Sequence, residues 1–186
     1  VVEAASAHMA KTIVELGGAN PMIICADADL EKAVDTALDS AYSNAGQRCS
    51  SASRILVEES IFIEFKEMFL RKGQQLTWGV EPSADVSTLI DSQSVENFES
   101  YLLDAEKAGG TVTRLGQQIG SASAEACLAQ PAVVENLAID SETGMAEFFG
   151  PATRLFSFAS DSEALVMANT SEYGLTAAVW SSDIAR

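Results

Sequence analysis

Asn44-Ala45-Gly46-Gln47-Arg48-Cys49-Ser50-Ser51 stands between a helical pattern and an apolar strand-like run, so it displays a cysteine at a helix-to-strand junction. Before it, over 29–42, apolar residues at 30, 33, 34, 37, 38, 41 and 42 follow the spacing of an amphipathic helix. Asp27 or Asp29 can cap that helix at its start. Gly46 is free to take a positive φ, so the chain can leave the helix there and turn sharply toward Cys49. After the turn, Ser53-Arg54-Ile55-Leu56-Val57-Glu58 reads as a strand. A thiol on such a turn can face a cleft, ringed by backbone N–H groups that stabilise a thiolate or an oxyanion. The ordinary alternative is a cysteine buried as a small hydrophobe.

Upstream lies Thr12-Ile13-Val14-Glu15-Leu16-Gly17-Gly18-Ala19-Asn20-Pro21, read as a short apolar strand that carries one carboxylate into a Gly-Gly turn. Glu-Leu-Gly-Gly-x-Asn-Pro followed by Asn-Ala-Gly-Gln-x-Cys resembles the two active-site segments of the aldehyde dehydrogenase superfamily. The 34 residues from Glu15 to Cys49 match the spacing of that family. Glu147-Phe148-Phe149-Gly150-Pro151 is similar to its Glu-x-Phe-Gly-Pro segment, and the run from Asn169 through Tyr173-Gly174-Leu175 to Val179 is similar to its Asn-x-x-x-Tyr-Gly-Leu-x-Ala-x-Val stretch. The four segments occur in the family's order and span nearly the whole chain. Where the family often has Lys after Glu-Leu-Gly-Gly this chain has Ala19, and where it has Gly-Pro-Leu-Ile this chain has Thr88-Leu89-Ile90-Asp91.

The 186 residues suffice for one domain that buries roughly 70% of its unfolded surface. A hydrophobic content of 47% is that of a soluble globular protein. The first residue is not Met and the last residues follow a strand-like run without a closing element, so an excised piece of a longer polypeptide is expected. A net charge of −16 argues against nucleic acid and anionic membranes, since no Lys/Arg patch is present to neutralise phosphates. No apolar run reaches the length of a transmembrane helix. Cys25, Cys49 and Cys127 are far apart and odd in number, which suggests neither a disulfide framework nor a zinc site and favours a reducing, cytoplasmic compartment. No metal is expected.

Other segments read as follows. Val1 to Ala10 looks like the tail of a helix and holds His8, the only histidine, with nothing spaced around it to form a site. Short β-type runs fall at 11–16 and 21–25, the second buried on both faces. Helices are expected over 60–72, over 94–108 with Val95, Phe98, Leu102, Leu103 and Ala105 toward the core, and from a Ser160-Asp161 cap to Asn169. Further strands are expected at 111–115, 131–134, 152–158 and 175–180. Residues 78–85 read as a turn-rich loop and 116–130 as a surface excursion. Strands alternating with helices imply an α/β fold, a mainly parallel sheet with helices on both faces.

With one histidine in the chain, a Cys-His hydrolase is disfavoured, and chemistry that needs a cysteine and a carboxylate fits better. The resemblance implies that Cys49 attacks an aldehyde to give a thiohemiacetal, whose oxyanion the Cys49 N–H helps to hold. Hydride passes to NAD or NADP, and a water deprotonated by Glu15, a task suited to a poorly solvated pocket, hydrolyses the thioester. It also implies that Glu147 accepts from the nicotinamide ribose and that Phe149 packs beside the nicotinamide ring. Asn44 and Gln47 are read as turn-forming residues that bond the backbone. No Gly-rich strand-turn-helix for a pyrophosphate is present. Residues 1–186 are therefore expected to be a catalytic, thiol-bearing domain, with the main cofactor-binding domain and C-terminal remainder outside it and a homo-oligomer in the full-length enzyme. Coenzyme A-acylating chemistry and a non-catalytic structural or oligomerisation module are the alternatives. Glu15 disfavours the first, since acyl transfer to a thiol needs no water-activating base, and the presence of Glu15 together with Cys49 disfavours the second.

Overall fold

The computed structural model describes residues 1–121, 123 and 126–186; positions 122, 124 and 125 of the expected surface excursion lie outside the described residues. Its centre is a run of strands with no polar face. Strands β1 (Asn20–Ile24), β2 (Ala52–Glu58), β6 (Ala132–Glu135) and β7 (Ala152–Phe158) are buried along nearly their whole length. Burial on alternate residues alike requires cover on both sides of the sheet. The cover comes from α2 (Leu30–Tyr42) and α3 (Glu59–Gly73), which pack on each other and on β2 and β7, and from α6 (Asp161–Asn169), which packs on β1, β2 and β7.

With β4 (Thr111–Arg114) and β8 (Ala178–Trp180) at the edges, the six-stranded order is β4-β6-β7-β2-β1-β8. Every neighbouring pair is parallel except β4 with β6. The expected α/β fold with a mainly parallel sheet is therefore the observed one. Asn20 lies level with Ala52, and Arg54 with Arg154, so β1, β2 and β7 begin along one edge of the sheet.

The α2 helix is capped by Asp29, whose side chain accepts from the Lys32 N–H. Asp27 instead accepts from the hydroxyl and backbone N–H of Ser182. The α4 helix (Ser92–Lys107) is capped by Asp91 and the α6 helix by Ser160. Phe98, Leu102 and Ala105 are buried as expected, whereas Leu103 is 54% exposed: it falls off the stripe that faces the core.

Three further readings need correction. Residues 11–16 form no strand, because no strand lies beside them to pair their backbone; the first strand begins at Asn20. The helix near the start, α1, spans only Val2–Ser6 and buries no residue. The expected loop after Trp78 and the excursion after Gly116 contribute β3 (Thr77–Gly79) and β5 (Gln117–Ile119), a separate two-stranded parallel sheet. Strands of three residues leave no alternation to read. The one-turn helix α5 (Glu142–Met145), capped by Ser141, is likewise too short to show a period.

Candidate active site

The turn that carries Cys49 owes its shape to residues that leave the right-handed region. After α2 the chain makes a single tight turn over Ser43–Gly46, in which Asn44, Ala45 and Gly46 all have positive φ, +55°, +54° and +68°. A Cβ on Gly46 would overlap the carbonyl oxygen of Gly150, so this turn and the turn that ends at Gly150 meet backbone to backbone. Asn44 and Gln47 brace the bend as expected: Asn44 Nδ2 donates to the Gln47 carbonyl at 3.0 Å, and Gln47 Oε1 accepts from the Ile90 N–H at 2.9 Å. The Ser51 N–H closes the turn on the Arg48 carbonyl at 3.1 Å. Cys49 is half-buried, and its own N–H donates to no protein acceptor among the described residues.

Residues 147–150 form the second turn. Phe149 has φ +45°, costly for an aromatic residue, and the residue is 48% exposed. A buried cation holds the α5 helix that leads into this turn and lies against its Phe148 ring. Arg154 on β7 is fully buried, with no carboxylate beside it; Nη1 donates to the Thr143 and Gly144 carbonyls at 2.7 and 2.8 Å, and Nε donates to the Ser53 carbonyl at 3.0 Å. Its guanidinium carbon stands 5.1 Å from the Phe148 ring centre, and Phe148 stacks on Tyr101 at 4.1 Å. Burial pulls the Arg154 pKa down, and burial together with the Arg154 charge pulls that of its in-register neighbour Arg54 down to about 10. Arg54 offsets its own burial by donating to the carbonyls of Ala19, Met167, Ala168 and Thr170, three of them at the negative end of α6.

The third segment is 15–20. Glu15 is exposed, so the poorly solvated pocket expected around it is not built by these residues alone. Gly17 and Gly18 lie directly against Glu147, whose Oε1 accepts from the Gly18 N–H at 2.9 Å. A Cβ on Gly17 would overlap that carboxylate, so a larger residue there would move the Glu147 side chain.

Glu15, Cys49, Glu147 and Phe149 line one open cleft of about 540 Å³, with Arg48 and Ser50 also on its wall. Chain positions 15, 49, 147 and 149 thus converge because each precedes one of three neighbouring parallel strands that start at the same edge. A second cleft of about 550 Å³, between α4 and α5, contains none of the four. Among the described residues no group of three or more His, Cys, Asp or Glu could hold a metal ion, and no helix is long and apolar enough to cross a membrane. Sequence reading assigned no part to Asn20 or Arg154. The available signal was a polar or charged residue inside runs otherwise apolar and buried on both faces.

A cysteine and two carboxylates thus converge at one edge of a mainly parallel α/β sheet, in a cleft that no histidine lines. The chain belongs to the aldehyde dehydrogenase family, which it matches over residues 1–186. It is 33% identical to the 2-aminomuconic semialdehyde dehydrogenase of Mus musculus over 193 residues, covering 100% of this chain and 39% of the relative. With the D-glyceraldehyde dehydrogenase (NADP(+)) of Picrophilus torridus it shares 32% identity, over 98% of this chain and 38% of that one. The crystal structure of betaine aldehyde dehydrogenase from Staphylococcus aureus in complex with NAD+ superimposes with a TM-score of 0.89 at 33% identity, over 99% of this chain and 37% of that one. The chain thus spans less than two fifths of the length of these relatives.

Proposed function

We propose that residues 1–186 are the thiol-bearing catalytic domain of an enzyme that oxidises an aldehyde to a carboxylic acid with NAD or NADP. The observation that carries this reading is the single cleft shared by Glu15, Cys49, Glu147 and Phe149. The Cys49 thiolate adds to the aldehyde carbonyl, and the N–H of Cys49, which has no protein acceptor among the described residues, is available to the developing oxyanion. Glu147 and Phe149 fit the nicotinamide end of a dinucleotide, since a carboxylate able to accept from ribose hydroxyls stands beside a half-exposed aromatic residue. When bound, the nicotinamide supplies the acceptor for the hydride that leaves the thiohemiacetal carbon. The thioester left on Cys49 is cleaved by water; Glu15 takes the proton, the acid departs and the thiolate returns.

Relatives that carry NAD+ and NADP(+) make either cofactor compatible with the reading. Glu15 on the wall of the Cys49 cleft favours hydrolysis over transfer to coenzyme A, because acyl transfer to a thiol needs no water-activating base. The main cofactor-binding domain and the C-terminal remainder belong to the rest of a longer polypeptide, a homo-oligomer of a reducing, cytoplasmic compartment. Neither nucleic acid nor membrane is a partner.

The test is Glu15→Gln in the full-length protein. A pre-steady-state burst of reduced cofactor near the parental amplitude should be followed by turnover lowered about 100-fold or more, the size of a general-base contribution. Equal loss of burst and steady state would show that Glu15 is structural.

A further inference from the structure

We propose that Asn20 is a positioning residue for the Cys49 turn, an inference that rests on Cys49 being the nucleophile. Asn20 opens β1 and is 4% exposed, so its amide must find its partners within the protein. Nδ2 donates to the Cys49 carbonyl at 2.7 Å and to the Ser51 carbonyl at 3.0 Å, and Oδ1 accepts from the Thr176 N–H at 3.1 Å. Both amide hydrogens and the amide oxygen are therefore committed, and two of the three bonds fall on carbonyls that flank Ser50.

Peptide geometry turns this clamp into control of the thiol's surroundings. The chain has no cis peptide bonds, so a carbonyl drawn toward Asn20 sends the N–H of the next residue to the opposite side. Fixing the Cys49 carbonyl thus fixes the Ser50 N–H away from Asn20, and like the Cys49 N–H it donates to no protein acceptor among the described residues. Fixing the Ser51 carbonyl sends the next N–H, that of Ala52, away in the same manner, and it is anchored on Ser40 Oγ at 3.2 Å. Two uncommitted amide donors are left bracketing the Cys49 side chain: the Ser50 N–H is oriented by Asn20, which does not line the cleft, and the peptide of the Cys49 N–H is held by the Ser51 N–H on the Arg48 carbonyl. The strap before Asn20 is fitted to the same clamp: a Cβ on Gly18 would lie 2.6 Å from Asn20 Oδ1 and 2.8 Å from the Cys49 carbonyl oxygen.

Iodoacetamide labelling of the full-length protein, mapped to each thiol by mass spectrometry, tests the inference without calling on dehydrogenase activity. In Asn20→Ala the Cys49 rate should fall at least tenfold while the Cys25 and Cys127 rates stay at parental values. Asn20→Ser, whose hydroxyl can donate one of the two bonds, should lose less, and it decides the matter if Asn20→Ala does not fold. In the folded variants kcat should fall with the KM for the nicotinamide cofactor unchanged. A Cys49 rate at the parental value, or a rise at buried Cys25 together with Cys49, would overturn the proposal, the second by showing only general loosening. Absence of aldehyde oxidation in the parent would sink the proposed function and leave the labelling result standing.

Discussion

Gly46 shows how a single hydrogen in place of a side chain fixes the distance between the turn of Cys49 and the turn of Glu147 and Phe149. Its φ of +68° would cost an L-residue about 1 kcal/mol or more, and a methyl group would strike the Gly150 carbonyl, which is backbone and cannot swing aside. Gly46→Ala should therefore lower unfolding stability by about 2 kcal/mol or more in urea, and should displace the turn that carries Glu147 and Phe149. An unchanged urea midpoint would mean that the two turns separate without penalty. The need for a positive φ at Gly46 was legible in the sequence, since a helix must end before a displayed cysteine. That Asn44 and Ala45 share it was not: neither residue type demands it, and the constraint comes from the packing of Gly46 on Gly150. The same distinction separates Cys49 from Asn20. A thiol in a turn announces chemistry, whereas the amide that holds the turn becomes visible only when residues 20, 49, 51 and 176 are brought together.

Among the elements, those with a long period were the most legible. The α2 and α4 helices begin within two residues of the sequence reading because an apolar stripe and an aspartate cap mark each start. The Asp91 pKa lies below the ordinary carboxylate range, chiefly through its hydrogen bond from the Ser94 N–H, with the Ser94 side chain adding to it. A carboxylate whose pKa is lower in the folded state contributes stability above its unfolded pKa and loses it as pH falls through the folded value. Asp91→Ala should accordingly lower the urea midpoint at pH 7, and the gap from the parent should close in acid as the parental cap is protonated. A gap independent of pH would mean that the cap acts by shape alone. Residues 11–16 failed for the opposite reason. Their β-branched composition favours extension, but strand formation needs a partner that their own sequence cannot supply.

At the scale of the molecule, the cleft lies at the amino ends of the strands. In open α/β sheets dinucleotides bind beyond the carboxyl ends, where helix amino termini and Gly-rich turns receive the pyrophosphate. Neither device accompanies the Cys49 cleft: what precedes β1, β2 and β7 is a Gly-Gly strap and two turns with positive φ. Under the proposed function Glu147 and Phe149 meet only one end of a cofactor, and the remaining affinity comes from parts of the full-length protein outside these residues. Glu15 is exposed, and Ile13, Leu16, Leu165 and Val166 around the same chain segments and α6 are exposed as well, which suits a surface that meets a further domain or subunit. The 186-residue chain by itself should therefore self-associate and show no dehydrogenase activity. Without the adenosine and pyrophosphate contacts the nicotinamide is not held against Cys49, and positioning of that kind accounts for about 7–11 kcal/mol of barrier reduction. Calorimetric titration of the isolated chain with NAD+, alongside an absorbance assay for NADH, gives the decisive reading. No heat of binding at micromolar cofactor and no NADH are expected. Micromolar affinity or steady NADH production would place the whole cofactor site within these residues.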